Sequence, residues 1–344
     1  MIGYASSLAI AALGVTAFKL LQLPLPFLLG PIVACLVAAL IGMPMRGNKL
    51  IGDAMRTILG VAVGATFTTP LLISMISMWP TLLMIPVMVI VIGAIGVPYF
   101  QRLWGFDFQT SYYASMPGGF QDMVLFGEEA GANLRILSLV HATRIMVVVV
   151  VLPFLLSWVW NADLSNAPGA PASTIGLPQL ALMAFCGIAG WQVALRLGMF
   201  GASILGPLLL AAIFSLAGIL QYRPPAEAIW AAQFFIGMSV GIKYAGVTMS
   251  EIRTCVTAAL GFCVILLLLT VVFAEVIFWF GLAPAMETIL AFAPGGQAEL
   301  TVLALIVGAD MAFVVAHHVL RIFVVILGAP LFARFFRSWA AKQP

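Results

Sequence analysis

The chain reads as an all-α integral membrane protein of two inverted-topology repeats, each with about five transmembrane helices and one re-entrant Pro-Gly-Gly hairpin. Three observations carry that expectation. The first is composition: of 344 residues, 63% are hydrophobic and 8% charged, with a mean hydropathy of +1.17. A soluble globule carries about 25% charged residues, so this chain has too little polar surface to face water and takes the bilayer as its solvent. The second is an internal repeat. Pro117-Gly118-Gly119, Asp122, Gly131-Ala132, His141, Arg144 and Ile145 return 177 residues later as Pro294-Gly295-Gly296, Glu299, Gly308-Ala309, His318, Arg321 and Ile322. The third is a lopsided placement of basic residues between the two ends of the spans.

A bilayer core of about 30 Å asks for roughly 20 apolar residues per helix. In the first repeat, residues 1–160, such runs lie near 5–21, 25–43, 51–70, 79–98 and 133–157. In the second, residues 177–344, they lie near 177–196, 200–220, 227–247, 254–280 and 310–335. The opening run lacks a basic leader and a small-residue cleavage site, so it reads as a retained span. Residues 161–176 between the repeats are rich in Pro, Ala, Ser and Gly and carry no Lys or Arg, the composition of an exposed extracytoplasmic linker. Leu29-Gly30-Pro31 in the second run recurs as Leu205-Gly206-Pro207, and Gly60 and Gly64 in the third recur as Gly237 and Gly241. Glycines four apart share a helix face and admit another backbone at close range; the apolar faces of these helices also permit a homodimer. Cys35, Cys186, Cys255 and Cys263 sit in apolar runs without metal-ligand spacing and read as packing residues. Trp79, Trp158, Trp160, Trp230, Trp279 and Trp339 fall near predicted helix ends, where indoles anchor at the membrane interface.

With five crossings per half, one side collects Arg46, Lys49, Arg56, Arg102, Arg135, Arg196, Lys243, Arg253, Arg334, Arg337 and Lys342, and the other keeps Lys19 and Arg223. By the positive-inside rule both termini are cytoplasmic, in a cell inner (plasma) membrane. An odd number of spans inverts the second half, which gives a pseudo-two-fold axis in the membrane plane. Counting the Pro-Gly-Gly segments as spans gives six per half and parallel repeats, and leaves the uncharged linker on the side of the basic C-terminus. A net charge of +3 is too small and scattered to imply a nucleic-acid partner; the expected partners are the lipid bilayer and a small molecule.

Between the fourth and fifth runs of each half, the apolar pieces are too short to cross. Proline removes a backbone donor and glycine admits unusual angles, so Pro117-Gly118-Gly119 and Pro294-Gly295-Gly296 break a helix there. Non-helical backbone at membrane depth survives only where protein or a water-filled cavity covers it. Each break starts a half-helix whose N-terminal N–H groups suit an anion. Asp122 and Glu299 lie in the first turns of these half-helices, either satisfying the dipole or serving as Na⁺ or proton coupling sites. Asn133 and Asp310 read as N-caps of the fifth helices. His141 and Arg144, like His318 and Arg321, are three apart and share a helix face near mid-span. The arginines either close ion pairs, Arg144 with Asp122 and Arg321 with Glu299, or present their forks to an anion; the histidines either hydrogen-bond within the bundle or relay protons. Gln297 and Thr301 either line the site or satisfy hairpin backbone. His317 has no counterpart, because Val140 occupies the matching place.

The duplication, the paired Leu-Gly-Pro and Pro-Gly-Gly motifs and the His-x-x-Arg-Ile strings resemble the membrane AbrB-type family, whose members have carried labels such as ammonia monooxygenase or regulator. The resemblance covers nearly the whole chain, and it is distinct from the small DNA-binding regulator of similar name. It implies a duplicated polytopic membrane protein tied to transport. By analogy of architecture the chain is also similar to inverted-repeat carriers of glutamate or citrate with glycine-rich re-entrant loops. The expected activity is that of a secondary carrier for a small organic anion, not an enzyme, with no cofactor beyond a coupling Na⁺ or H⁺. Pro117, Gly118, Gly119, Arg144, Pro294, Gly295, Gly296, Gln297 and Arg321 would bind substrate, and Asp122, Glu299, His141 and His318 would couple. A membrane sensor or a passive channel is the alternative. Three histidines without a His-x-x-x-His or Glu-x-x-His pair are poor ligands for an oxygenase metal centre.

Overall fold

A computed structural model describes residues 2–69, 77–164, 167–199 and 201–340, with the side chains at 2, 121, 122, 125 and beyond 328 left aside. Among the described residues all regular structure is helical, and each half supplies seven α-helices of eight or more residues in the same order. The first half gives α1 (Ile2–Leu20), α2 (Pro26–Leu40), α3 (Lys49–Gly64), α4 (Trp79–Pro98), α5 (Phe108–Ser115), α6 (Phe120–Ala130) and α7 (Leu134–Trp160). The second gives α8 (Leu177–Arg196), α9 (Ala202–Leu216), α10 (Ala226–Gly241), α11 (Thr257–Trp279), α12 (Ala285–Phe292), α13 (Gln297–Val307) and α14 (Met311–Ala340). The pairs α3/α10, α5/α12 and α6/α13 agree at both ends under the shift of 177 found in the sequence.

Among the described residues six helical stretches are long and apolar enough to cross a bilayer: Gly3–Leu20, Trp79–Leu103, Leu134–Trp160, Leu177–Arg196, Met249–Trp279 and Met311–Gly328. The chain is thus an all-helical membrane protein. The other four expected spans are shorter, with 15 residues in α2 and α9 and 16 in α3 and α10. At 1.5 Å per residue that is about 22–24 Å, less than the hydrocarbon thickness. The apolar runs outlast α2 and α9 because the backbone leaves the helix just beyond Leu40 and Leu216, with φ of +83° at Gly42 and +73° at Gly218.

The chain divides into two compact units. The first comprises Met1–Ser77, Val150–Gly246 and Ala298–Ala312. Its core is a set of glycine-mediated backbone contacts. A Cβ on Gly30 of α2 would stand 2.6 Å from the Gly14 carbonyl oxygen of α1, and one on Gly190 of α8 would stand 2.7 Å from the Gly206 carbonyl oxygen of α9. The third helices then cross to the opposite half. Gly60 and Gly64 of α3 lie against the Ile204 and Leu208 carbonyls of α9, while Gly237 and Gly241 of α10 lie against the Leu28 and Ile32 carbonyls of α2. The contact is reciprocal, and these glycine faces are filled from within the chain. Trp230 is part of this packing, stacked on Phe27 at 5.3 Å with Lys19 over the other partner ring of that pair at 4.4 Å. Trp79, Trp158 and Trp279 are 63%, 84% and 84% exposed at helix ends and Trp160 is half-buried; the Trp339 side chain lies outside the described residues. The linker is fastened at two points: the Ala226 amide donates to the Ala170 carbonyl at 3.0 Å, and Glu227 accepts from the Ala172 amide at 3.1 Å.

The second unit comprises Met78–Val149, Val247–Gln297 and Phe313–Pro344. Aromatic side chains join α4 to α11. The Tyr99 hydroxyl, on a π-helical turn that ends α4, donates to the Ala258 carbonyl at 2.9 Å, and Phe100 meets Phe262 at 4.8 Å between ring centres. Gly96 gives the room, since a Cβ there would press on Phe262 and Ser115. At the start of α7, Arg135 reaches Glu251, whose carboxylate also closes a capping box with Thr248.

Candidate functional site

Each Pro-Gly-Gly segment breaks one helical path into two. Eight residues of α5 and of α12 precede the breaks, and eleven residues of α6 and of α13 follow them. Pro117, Gly118, Pro294 and Gly295 are buried, and Gly119 and Gly296 are half-buried. Glycine then ends both trailing half-helices in the left-handed region, with φ of +79° at Gly131 and +70° at Gly308, the conformation that lets the chain turn without a Cβ penalty. The fifth helices start two residues later on the N-caps read from sequence. Asn133 Oδ1 accepts from the Arg135 and Ile136 amides at 3.1 and 3.2 Å, and Asp310 Oδ1 accepts from the Ala312 amide at 3.0 Å. Thr110 of α5 accepts from the Asn133 amide at 2.8 Å, so the two arms of the first break are fastened at their outer ends.

A helix that stops short leaves carbonyls without intrahelical donors and concentrates partial negative charge there. The His-x-x-Arg pairs meet that need. His141 Nε2–H donates to the Tyr113 carbonyl at 3.0 Å, and His318 Nε2–H donates to the Leu290 carbonyl at 2.9 Å. Arg144 Nη1 donates to the Met116 carbonyl at 2.8 Å and Nη2 to the Gly118 carbonyl at 2.7 Å. Arg321 repeats this with Ala293 at 2.6 Å and Gly295 at 3.4 Å. All six bonds correspond under the shift of 177. A carbonyl can only accept, so both histidines carry their proton on Nε2 at these contacts.

The four side chains are buried, with Arg144 and Arg321 only 2% and 3% exposed. Among the described residues the ion pairs are Arg56 with Asp53 and Arg135 with Glu251, and neither includes these two arginines. Their terminal nitrogens hold backbone carbonyls. The Asp122 side chain lies outside the described residues, and Glu299 is buried at 7% exposure in the other compact unit. The Nε of Arg144, the Nε of Arg321 and the Nδ1 of His318 find no hydrogen-bond partner among the described residues. A charge taken out of water costs several kcal/mol unless it is compensated, and half-helix carbonyls supply only a fraction of a unit charge. Each break thus holds one buried guanidinium with an N–H that finds no partner among the described residues.

The Gln297 Nε2 and Thr301 Oγ1 atoms are buried and without a partner among the described residues. Sequence reasoning gave His317 no role, and the structure gives it one. Its Nδ1–H donates to the Phe313 carbonyl at 2.7 Å and its Nε2 meets the Thr81 hydroxyl at 2.9 Å, which ties α14 to the first turn of α4. Its place outside the repeat was the available signal, since a polar residue at an unrepeated position serves a contact only one half makes.

The family profile described as "Transition state regulatory protein AbrB" matches residues 27–337. A Bacillus subtilis (strain 168) protein, "Uncharacterized protein YhjN", is 31% identical over 258 residues, which span 67% of this chain and 65% of that protein, just under two thirds of its length. An Escherichia coli (strain K12) protein, "Putative regulator AbrB", is 26% identical over 337 residues, or 95% of this chain and 94% of that one. With the profile covering nearly all of a duplicated, twice-broken helical membrane chain, the protein belongs to the AbrB family.

Proposed function

We propose that the protein is a secondary transporter that carries a small organic anion across the cell inner membrane, with both termini cytoplasmic. The observation that carries this reading is the pair of buried guanidinium groups, held in matching geometry at two helix breaks, without a carboxylate among their described partners. The breaks that begin α6 and α13 add N-terminal N–H groups, so Pro117, Gly118, Gly119, Pro294, Gly295, Gly296 and Gln297 form the backbone of the site and Arg144 and Arg321 its charge. In this reading the repeats are inverted and the Pro-Gly-Gly segments are re-entrant, which brings both breaks to the bilayer middle. Each compact unit draws equivalent helices from both halves, α1–α3 with α8–α10 in one and α4 with α11 in the other; movement of one such bundle against the other is alternating access. In this reading Asp122 and Glu299 couple Na⁺ or H⁺, with His141 and His318 as further proton sites.

The printed name of the Escherichia coli relative favours a second reading, a membrane sensor. Both readings require a ligand, and flux separates them. Thermal unfolding of detergent-purified protein against a panel of small anions, with and without Na⁺, tests binding, because a ligand of the folded state at 100 times its Kd adds about 2.7 kcal/mol. Selective stabilisation by one anion class is expected, lost in Arg144→Gln and Arg321→Gln variants that remain folded. Counterflow of that anion in proteoliposomes marks a carrier, binding without flux a sensor, and flux that does not saturate a channel. If no anion stabilises the wild type, the arginines are structural caps and the anion-carrier reading fails.

A further inference from the structure

We infer that a groove on the first compact unit holds one acyl chain of an anionic phospholipid, with the headgroup phosphate at Arg223. A cavity of about 320 Å³ opens between α3, α8 and the start of α10, and all of its walls belong to that one unit. Its floor is fixed: Val61 and Met183 are part of a buried apolar cluster, and Gly187 is buried beside Thr57. Its rim is open, with Ala184 exposed and Ile188, one turn further along α8, 65% exposed. Thr57 supplies the one polar side chain of the lining, and its hydroxyl already donates to the Ala54 carbonyl at 2.7 Å. No lining side chain therefore asks for a polar ligand. Beside a membrane-spanning chain the medium at such a rim is hydrocarbon, and an apolar hollow left empty forfeits contacts with its lining. From Leu180 to Ile188 the groove follows α8 for about 12 Å, close to the roughly 15 Å of hydrocarbon in one leaflet.

The repeat does not dictate this opening. Under the shift of 177, Thr57 and Ile58 answer to Phe234 and Phe235, whose rings meet edge to face at 5.2 Å; α10 thus carries two aromatic rings where α3 leaves room. Charge then names the headgroup. Pro224 and Pro225 line the groove at the end where the linker is fastened, and Arg223 directly precedes them, its own backbone restricted by the proline that follows. Arg223 is exposed and belongs to neither ion pair found among the described residues. Protein around it screens part of the side chain from water and lowers its pKa from the ordinary arginine value. The nearest acid along the chain, Glu227, accepts from the Ala172 amide at 3.1 Å. A guanidinium so placed suits a phosphate, which it grips with two parallel N–H bonds.

Native mass spectrometry of delipidated, detergent-purified protein counts lipid bound during titration with dioleoyl phosphatidylglycerol or dioleoyl phosphatidylcholine. The first phosphatidylglycerol is expected to half-saturate at a concentration about fivefold lower than phosphatidylcholine. Arg223→Gln is expected to bring the two lipids level. Ile58→Phe, which copies the residue of α10 at the matching place, and Ala184→Phe fill the groove and are expected to raise half-saturation for both lipids at least about tenfold. If Ile58→Phe fails to fold, Ala184→Phe, at an exposed position, carries the comparison. Single-chain lysophosphatidylglycerol should compete for the site, and glycerol 3-phosphate, a headgroup without a chain, should not. Unchanged lipid binding in the Phe variants overturns the groove. Equal binding of the two lipids by the wild type, or a preference that survives Arg223→Gln, overturns the headgroup assignment. Wild-type dimers that bind no lipid and fall apart in the Phe variants give the groove to a second copy of the chain and overturn the inference.

Discussion

Replacing Gly60 with alanine tests the seam on which the first unit is built. A Cβ at this position meets the Ile204 carbonyl oxygen directly and stands 3.0 Å from the Pro207 Cβ. Carbon and oxygen without a bond rest near 3.3 Å, so α3 and α9 must part by close to an ångström, and a main-chain carbonyl cannot swing aside as a side chain does. Overpacking of this kind costs about 1–3 kcal/mol, here at the upper end. Alanine is meanwhile the better helix former by about 0.8–1.0 kcal/mol, which leaves a net loss of about 2 kcal/mol. The same helix contains its own control. Gly52 has nothing within 4 Å of a built Cβ, so Gly52→Ala keeps the propensity gain and should be more stable than the wild type by up to about 1 kcal/mol. Gly237→Ala, against the Leu28 carbonyl, should lose as much as Gly60→Ala, and the double variant should lose the sum, because the two seams share no residue. Thermal unfolding in one detergent reads all four. If Gly60→Ala matches the wild type, or Gly52→Ala loses as much as Gly60→Ala, the close approach of α3 to α9 is wrong.

Two further outcomes follow from the anchors around the breaks. Asn133→Ala removes the acceptor of the Arg135 and Ile136 amides and should lower stability by about 1 kcal/mol, with Asn133→Asp restoring it; equal stability of all three forms in thermal unfolding would remove the cap from the account. The Arg135–Glu251 pair is 46% and 23% exposed, so a double-mutant cycle with Arg135→Ala and Glu251→Ala should give a coupling of at most about 1 kcal/mol that falls with added salt, and a larger salt-insensitive coupling would place the pair in a dry environment.

The bilayer, the duplication and the two breaks were legible because each depends on residue type alone: apolar runs, a string repeated at one offset, proline beside paired glycines. The caps Asn133 and Asp310 were legible for the same reason. The partners of Arg144 and Arg321 were not. A carboxylate shows in a sequence as Asp or Glu, whereas a backbone carbonyl carries no letter, so the bonds to Met116, Gly118, Ala293 and Gly295 could not be read from residue spacing. Glycine spacing likewise announced close contacts for α3 and α10 without saying that each would seek the other half. Position near a helix end is a one-dimensional criterion, and it did not announce that the Trp230 ring stacks on Phe27. The extent of α2 and α9 was overestimated because apolar runs continue through the turns that end them.

The reciprocal seams also bear on how the chain is made. Synthesis delivers α3 well before α9, so the Gly60–Gly64 groove must wait for Ile204 and Leu208 to emerge, whereas α2, already in place, receives Gly237 and Gly241 as α10 arrives. The first half is therefore a half-built scaffold with a backbone groove open until most of the protein has been translated. Neither half can reach its own native packing by rehearsing the steps of the other. The repeat that looks like two copies in a row is, at the level of assembly, a single knit in which each copy completes its twin.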